Sequence, residues 1–318
     1  MMKYAARKIA MLLLTMVIVS FLAFLAFAVI PGDPATALLG TQATPEKLAA
    51  LREQMGLNRP FWVRYLSWLL GFFTGDLGTS YSYSVPVSTL IGQKLPVTLV
   101  LTLLSFLLIV LVSIPLGVRS AGRAESRLDG VDTVLDQLLM AVPPFFTGIL
   151  LTYLFGIVLD WFTPGKFPGF AKTVPGSLYY LLYPAVAIAL PRAAMTVRVL
   201  KSTILGEMGK DYVRTAISRG NDRRGVLYGH VLKNAMVPVV AFLAATAAEI
   251  VAAGIVVEQV FSIPGLGRLL LASISNRDYP VVQAIVVILA FWVVLVNLLA
   301  DLVNQRIDPR LRLGGDAR

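Results

Sequence analysis

The sequence predicts an all-α polytopic membrane protein of about six transmembrane helices. Three observations carry that expectation. The chain is 57% hydrophobic and only 14% charged over 318 residues, whereas a soluble globular protein is about 25% charged; its mean hydropathy is +0.76. Too few charges remain to coat a water-facing surface. The apolar residues fall in runs of the length a bilayer requires, roughly 20 residues. Basic residues gather between alternate runs, as the positive-inside rule describes.

Four runs, 9–30, 97–118, 138–159 and 281–300, contain no charged residue. Two more are interrupted: 178–200 includes Arg192 and 235–257 includes Glu249. The first run follows Lys3, Arg7 and Lys8, as the apolar core of a signal peptide would. It is longer than the 7–15 residues typical of such a core, so it is read as an uncleaved first transmembrane helix. With the N-terminus in the cytoplasm, the cytoplasmic segments 1–8, 119–137, 198–234 and 306–318 hold 18 basic residues in 77 positions. The outer segments 31–96, 160–177 and 261–280 hold 9 in 104. Both termini are therefore expected inside.

The same composition excludes several classes of activity. There is no cysteine and one histidine, His230, so neither a disulfide framework nor a Cys/His metal site can be built. His230 lies in a basic loop, away from candidate nucleophiles. No phosphate-binding G-x-x-x-x-G-K-[ST] loop occurs; Gly165-Lys166 lacks its upstream glycine because position 160 is Asp. The net charge of +10 reads as membrane topology and not as nucleic-acid binding.

Charges within apolar runs cost about 2.5–3.5 kcal/mol each at a helix centre. Arg192 and Glu249 fit two readings: a neutralising pair inside the helix bundle, or groups facing a water-filled translocation path. Pro143-Pro144 and Pro191 remove backbone donors and are expected to kink the third and fourth spans.

The longest cytoplasmic loop, 201–234, is not a simple turn. Leu205, Met208, Tyr212 and Ala216 recur at helical spacing, with Glu207, Lys210, Asp211 and Arg214 on the other face. This predicts one amphipathic helix over 205–218, stopped by Gly220-Asn221. A second short polar helix is expected over 223–233, with Pro238 at the entry to the fifth span. Such a helix either lies on anionic lipid headgroups or docks into a partner's groove. Outside, Thr44-Pro45-Glu46 signals a helix start and Met55-Gly56 its stop, which predicts a small, partly helical cap within 31–94.

The loop resembles a known family. Glu207…Asp211-Tyr212-Val213-Arg214-Thr215-Ala216…Arg219-Gly220…His230…Asn234…Pro238 is similar to the "EAA" loop of importer-type ABC permeases, specifically the B-type subunit of the dipeptide/oligopeptide/nickel permease family. Further segments agree in order: Pro31-Gly32-Asp33-Pro34, Gln54–Pro60, Gly75–Ser80, Leu95–Leu99, Phe261–Gly267, Arg277–Gln283 and Asp308-Pro309-Arg310. Departures are Ser218-Arg219-Gly220 where the family often has Ala-Lys-Gly, Arg214-Thr215-Ala216 in place of Glu-Ala-Ala, and Met55-Gly56-Leu57-Asn58 in the outer loop.

The resemblance implies a type I ABC importer permease fold with a cytoplasmic coupling helix. It divides the chain into a first helix (1–30), an outer loop region (31–94), a transmembrane domain (95–303, with the coupling loop at 201–236) and a cytoplasmic tail (304–318). It implies a C-type permease partner, two ABC ATPase subunits that use ATP and Mg, an extracytoplasmic substrate-binding protein and the surrounding membrane lipid. The chain itself would bind no cofactor and catalyse no reaction. Glu207, Asp211, Tyr212, Arg214, Ala216 and Gly220 would form the ATPase-coupling surface, with Tyr212 and Ala216 in the ATPase groove. His230, Asn234 and Pro238 would support the loop. Peptides are the first expected cargo, with glutathione or nickel next; an ATPase-independent channel or secondary transporter is the competing class.

Overall fold

The computed structural model describes residues 2–29, 33–40, 43–124 and 126–307. Pro31-Gly32 and Asp308-Pro309-Arg310, on which part of the resemblance rests, lie outside the described residues, as do positions 308–318 of the expected tail. The described chain is helical and falls into two compact units. The first comprises residues up to Thr98 together with Pro264–Leu295; the second comprises Leu99–Ile263 and the chain from Val296.

In the first unit, α1 (Met2–Val29) is followed by α2 (Pro34–Leu39), α3 (Pro45–Gln54) and α4 (Phe61–Thr74). Each of the two short helices is started by a capping residue. Asp33 accepts from the Ala35 N–H at 3.2 Å and from the Thr36 hydroxyl at 2.9 Å. Its carboxylate also pairs with Arg52 at 2.8 Å, tying α2 to α3. Burial alone would raise this carboxyl, but the hydrogen bonds from Arg52, Thr36 and Ala35 hold it below its ordinary value. Thr44 caps α3, Pro45 opens it, and Gly56 at φ +66° closes it, as its sequence predicts. The α3 end is a Schellman turn: Gly56 N–H bonds Glu53 and Leu57 N–H bonds Arg52, both at 2.9 Å.

α4 is a separate aromatic helix that the outer-loop reading did not resolve. Phe61, Tyr65 and Trp68 pack on Phe21 and Phe24 of α1, with Phe24–Phe61 and Phe21–Tyr65 ring centroids 5.3 and 5.5 Å apart. The buried Tyr65 hydroxyl lies 3.1 Å from that of Ser20.

Two contacts join sequence segments far apart in the chain. The Thr98 hydroxyl accepts from the Leu266 N–H at 2.8 Å, capping α12 (Leu266–Ser275). Asp278, fully buried, accepts from the Ser80 hydroxyl and from the N–H groups of Tyr81 and Ser82, at 2.9 and 3.2 Å. Its fixed carboxylate thereby holds the 79–86 loop against the turn that opens α13 (Tyr279–Ile307).

The second unit holds most of α5 (Val87–Gly122), then α6 (Arg127–Ala141), α7 (Pro144–Leu151) running into a π-helical stretch at Thr152–Val158, α8 (Val174–Met208), α9 (Asp211–Ser218), α10 (Arg223–Val226), a second π stretch at Leu227–Val231, and α11 (Leu232–Val260). α8 and α11 form the most extensive helix pair. The inward face of α8 is rich in small residues, with Ala185, Ala187, Ala189, Ala193 and Ala194 all buried, which lets backbones approach closely. Tyr180, also buried, donates its hydroxyl to the Phe261 carbonyl at 2.8 Å and accepts from the Gly165 N–H at 3.0 Å.

Among the described residues, five helices are long and apolar enough to cross a bilayer, or six if a bent pair is taken as one span. The kink expected in 138–159 lies at its two prolines and is a sharp break. α6 and the α7 segment meet at 96°, because Val142 and Pro143 are both extended (ψ 121° and 145°). A residue preceding proline avoids the helical region, and two prolines in sequence stop α6 outright. The other spans occur but run longer than expected. The fourth reaches Met208, and the fifth starts before Pro238, which lies inside α11. The polar helix expected over 223–233 is the leading end of that same helix, continued through a π turn.

Replacing Asp278 with Ala would strand the buried Ser80 hydroxyl and two N–H groups. The expected cost is about 3 kcal/mol, read as a lowered thermal midpoint of the detergent-solubilised protein, with Asp278→Asn intermediate.

Candidate functional site

The loop after α8 is a short helix held at both ends. α8 stops at Met208: Gly209 occupies its C-cap and Lys210 is extended (ψ 153°), so the chain turns before α9 begins. The single helix expected over 205–218 is thus corrected to two elements. The break separates Leu205 and Met208, which belong to α8, from Tyr212 and Ala216. A glycine followed by an extended residue interrupts the backbone ladder whatever the side-chain periodicity across it.

The far end of α9 closes as the glycine predicts. Gly220 sits at φ +86°. Its N–H bonds Ile217 at 2.9 Å and the Asn221 N–H bonds Ala216 at 3.3 Å, the paired bonds of a Schellman turn. The Asn221 side chain adds a third bond to the same Ala216 carbonyl at 3.0 Å. Asp222 then caps α10 through the Gly225 N–H at 3.0 Å.

Side chains brace the near end. Glu207, at the end of α8, accepts from the Lys210 ammonium and from the Tyr212 hydroxyl, the latter at 2.8 Å. Tyr212 is also hydrogen-bonded by the Asn234 side chain of α11. One phenol therefore links α9 to both α8 and α11. Burial raises its pKa; the Asn234 bond opposes this and the neighbouring Glu207 carboxylate reinforces it.

Within the chain itself, several of the residues expected at the coupling surface are already engaged. Ala216 and Val213 are buried within the chain. Tyr212 and Glu207 are occupied with each other and with Asn234 and Lys210. The exposed residues of α9 are Asp211, Arg214, Thr215, Ile217 and Ser218. Asp211 and Arg214 are nearly free in solvent, 4.0 Å apart. Ile217, 52% exposed, was missed in the sequence. Its signal lay in the inward pair Val213 and Ala216, which places Ile217 on the rim of the wheel once the helix is known to begin at Asp211. His230 is exposed in the π stretch. Asn234 supports the loop through Tyr212. Pro238 interrupts the α11 ladder and does not mark its start.

Arg192 of α8 and Glu249 of α11 form an ion pair across the central helix pair. Their side chains are 27% and 54% exposed, so the pair neutralises itself without being sealed in the core. Lys201 and Asp129 form a second ion pair, between α8 and α6. Among the described residues, no group of His, Asp and Glu is arranged to hold a metal.

A braced loop helix in a chain of long apolar helices has counterparts among known proteins. Residues 113–313 match the family model of the binding-protein-dependent transport system inner membrane component, and residues 1–102 match the corresponding N-terminal model. The chain belongs to this family of permeases. A putative peptide transport system permease of Brucella abortus is 37% identical over 96% of this chain and 98% of its own. The oligopeptide transport system permease of Bacillus subtilis is 35% identical over 98% and 99%. A dipeptide transport system permease of Alkalihalophilus pseudofirmus is 30% identical over 98% and 100%. The permease is thus matched over nearly its full length, and its α9 loop lies within the inner membrane component model.

Because its folded pKa is raised, the neutral Tyr212 phenol contributes stability that is complete below its ordinary value of 10.0 and lost as pH rises through the higher folded value. Subtracting a Tyr212→Phe absorbance titration from that of the permease should reveal one phenol ionising above 10.0. The same substitution should speed amide exchange across residues 211–218 about fivefold, the loss of roughly 1 kcal/mol of hydrogen bonding.

Proposed function

We propose that this permease carries peptides across the cytoplasmic membrane and that α9 is the handle by which separate ATPase subunits drive it. The observation that carries this reading is the double attachment of α9. Tyr212 bonds Glu207 on α8 and Asn234 on α11, so a force on the exposed face of α9 is delivered to both helices of the central pair. A helix tied to only one span would swing without moving the other. Rigid elements with two alternative packings are how such motion becomes a switch of access.

The outward face suits a protein groove better than a lipid surface. It offers one apolar side chain, Ile217, between a carboxylate and a guanidinium, and its charges are of both signs. Peptide cargo is supported by relatives named as peptide, oligopeptide and dipeptide permeases, which match nearly the whole chain. In this reading the termini and the α9 loop face the cytoplasm, as the distribution of Lys and Arg requires. The extracytoplasmic cap of α2, α3 and α4 receives a substrate-binding protein, and a C-type permease completes the path. ATP and Mg act only at the ATPase partners. Arg192 and Glu249 are the charged groups closest to being path residues, since they are only partly buried in the single chain.

Two substitutions test the handle. Gly220→Val forces a β-branched residue into the left-handed region, at about 1–2 kcal/mol or more, and should abolish peptide uptake while the assembled complex stays in the membrane. Ile217→Asp leaves α9 folded and should lower peptide-stimulated ATP hydrolysis by about tenfold, the loss of one apolar anchor at a docking site. Normal uptake by both variants would refute the handle.

A further inference from the structure

Where α5 ends and α10 begins, a groove of about 750 Å³ opens in the second unit. Its walls are graded. Along the end of α5 they change from Ile114 and Val118 to Arg119, and Arg123 follows just past the helix end. From Ile114 to Gly122 the helix rises about 12 Å. The opposite wall is the leading end of the fifth long helix, which runs the other way along the chain. It changes from Leu227 to Arg224 as it approaches the same loop end. Both walls thus pass from apolar to cationic in one direction, toward the ends of the membrane-crossing helices.

Among the described residues, the three guanidiniums have no carboxylate paired with them, and none lines the groove. Three like charges converging on one cavity repel one another, and the helix C-terminus of α5 neutralises only part of that charge. A mere positive-inside signal needs charge in the loop but does not need it collected around an apolar slot. Guanidinium is the side chain best matched to phosphate, through paired N–H donors.

We propose that this groove binds an anionic phospholipid, its phosphate held by Arg119, Arg123 and Arg224 and the upper part of an acyl chain lying along Ile114, Val118 and Leu227. The gradient from apolar to cationic reproduces the polarity of such a lipid over its own length, and the volume is within the 300–1,000 Å³ of ordinary ligand pockets. A peptide or nucleotide would leave the apolar wall unused, and a free phosphate ion would leave it wet. The site joins the membrane surface to α10 and, through it, to the α9 loop. It does not depend on the identity of the transported cargo.

The test uses the purified permease complex in mixed micelles of phosphatidylcholine and phosphatidylglycerol, with retained lipid counted by native mass spectrometry. The wild type is expected to hold phosphatidylglycerol in preference to phosphatidylcholine. The triple variant Arg119→Gln, Arg123→Gln, Arg224→Gln should lose that preference by about tenfold, as removal of charged hydrogen bonds predicts. A control removes the same number of charges from exposed positions elsewhere, Lys47→Gln, Lys166→Gln and Lys172→Gln, and should keep the preference. Equal retention of the two lipids by the wild type would overturn the proposal. So would an equal loss in the control, which would mean diffuse charge, or displacement of the bound lipid by millimolar inorganic phosphate, which would mean a simple anion site. Covering of the groove by a partner subunit would appear as no retained lipid in the complex, and would overturn it as well.

Discussion

The close packing of α8 against α11 is the contact on which the second unit depends. In a bilayer, apolar side chains gain nothing by leaving lipid for protein, so helices associate through tight van der Waals packing and internal polar links. α8 meets both requirements. Its buried alanines keep its surface small on several sides, and Arg192 and Glu249 close an ion pair between the two helices. Everything with a functional reading in this unit is attached to that pair: α6 through Lys201 and Asp129, α7 by packing on α8, and α9 through Tyr212.

The coupling loop follows from the same logic. A two-turn helix is marginal on its own, so α9 exists because its ends are fixed. Glu207, Tyr212 and Asn234 fix one end; Gly220, Asn221 and Asp222 fix the other. These bonds consume side chains that, by type alone, look suited to gripping a partner. What remains outward is a small mixed surface around Ile217. The division is physically sensible: the strong polar groups make the handle stiff, and a few exposed groups make it recognisable.

The first unit shows the same economy with different chemistry. Its segments are brought together by single capping contacts between distant stretches, Thr98 with Leu266 and Ser80 with Asp278. The motifs that carry the family resemblance therefore pair with one another in space: Leu95–Leu99 with Phe261–Gly267, and Gly75–Ser80 with Arg277–Gln283. Their residue types are set by the need to satisfy buried backbone donors where long helices begin.

Much was legible in the sequence because the membrane imposes strong, local rules. Run length marked the spans, and Thr44, Pro45, Gly56 and Gly220 marked helix ends that the structure reproduces. Each of those signals acts over a turn or less of chain. What the sequence left open needed neighbours distant in the chain. Periodicity carried Leu205 and Met208 across a break that only the extended Lys210 reveals. Tyr212 and Ala216 appeared free because Glu207 and Asn234 are brought to them by the packing of α8 and α11. The closing of Arg192 on Glu249 and the gathering of three arginines around one groove are likewise tertiary facts. Sequence alone determined the apolar spans, the proline break and the glycine-marked helix ends, since those depend on local backbone chemistry and hydropathy. The structure decided which faces remain for partners, because that depends on which groups the fold has already used.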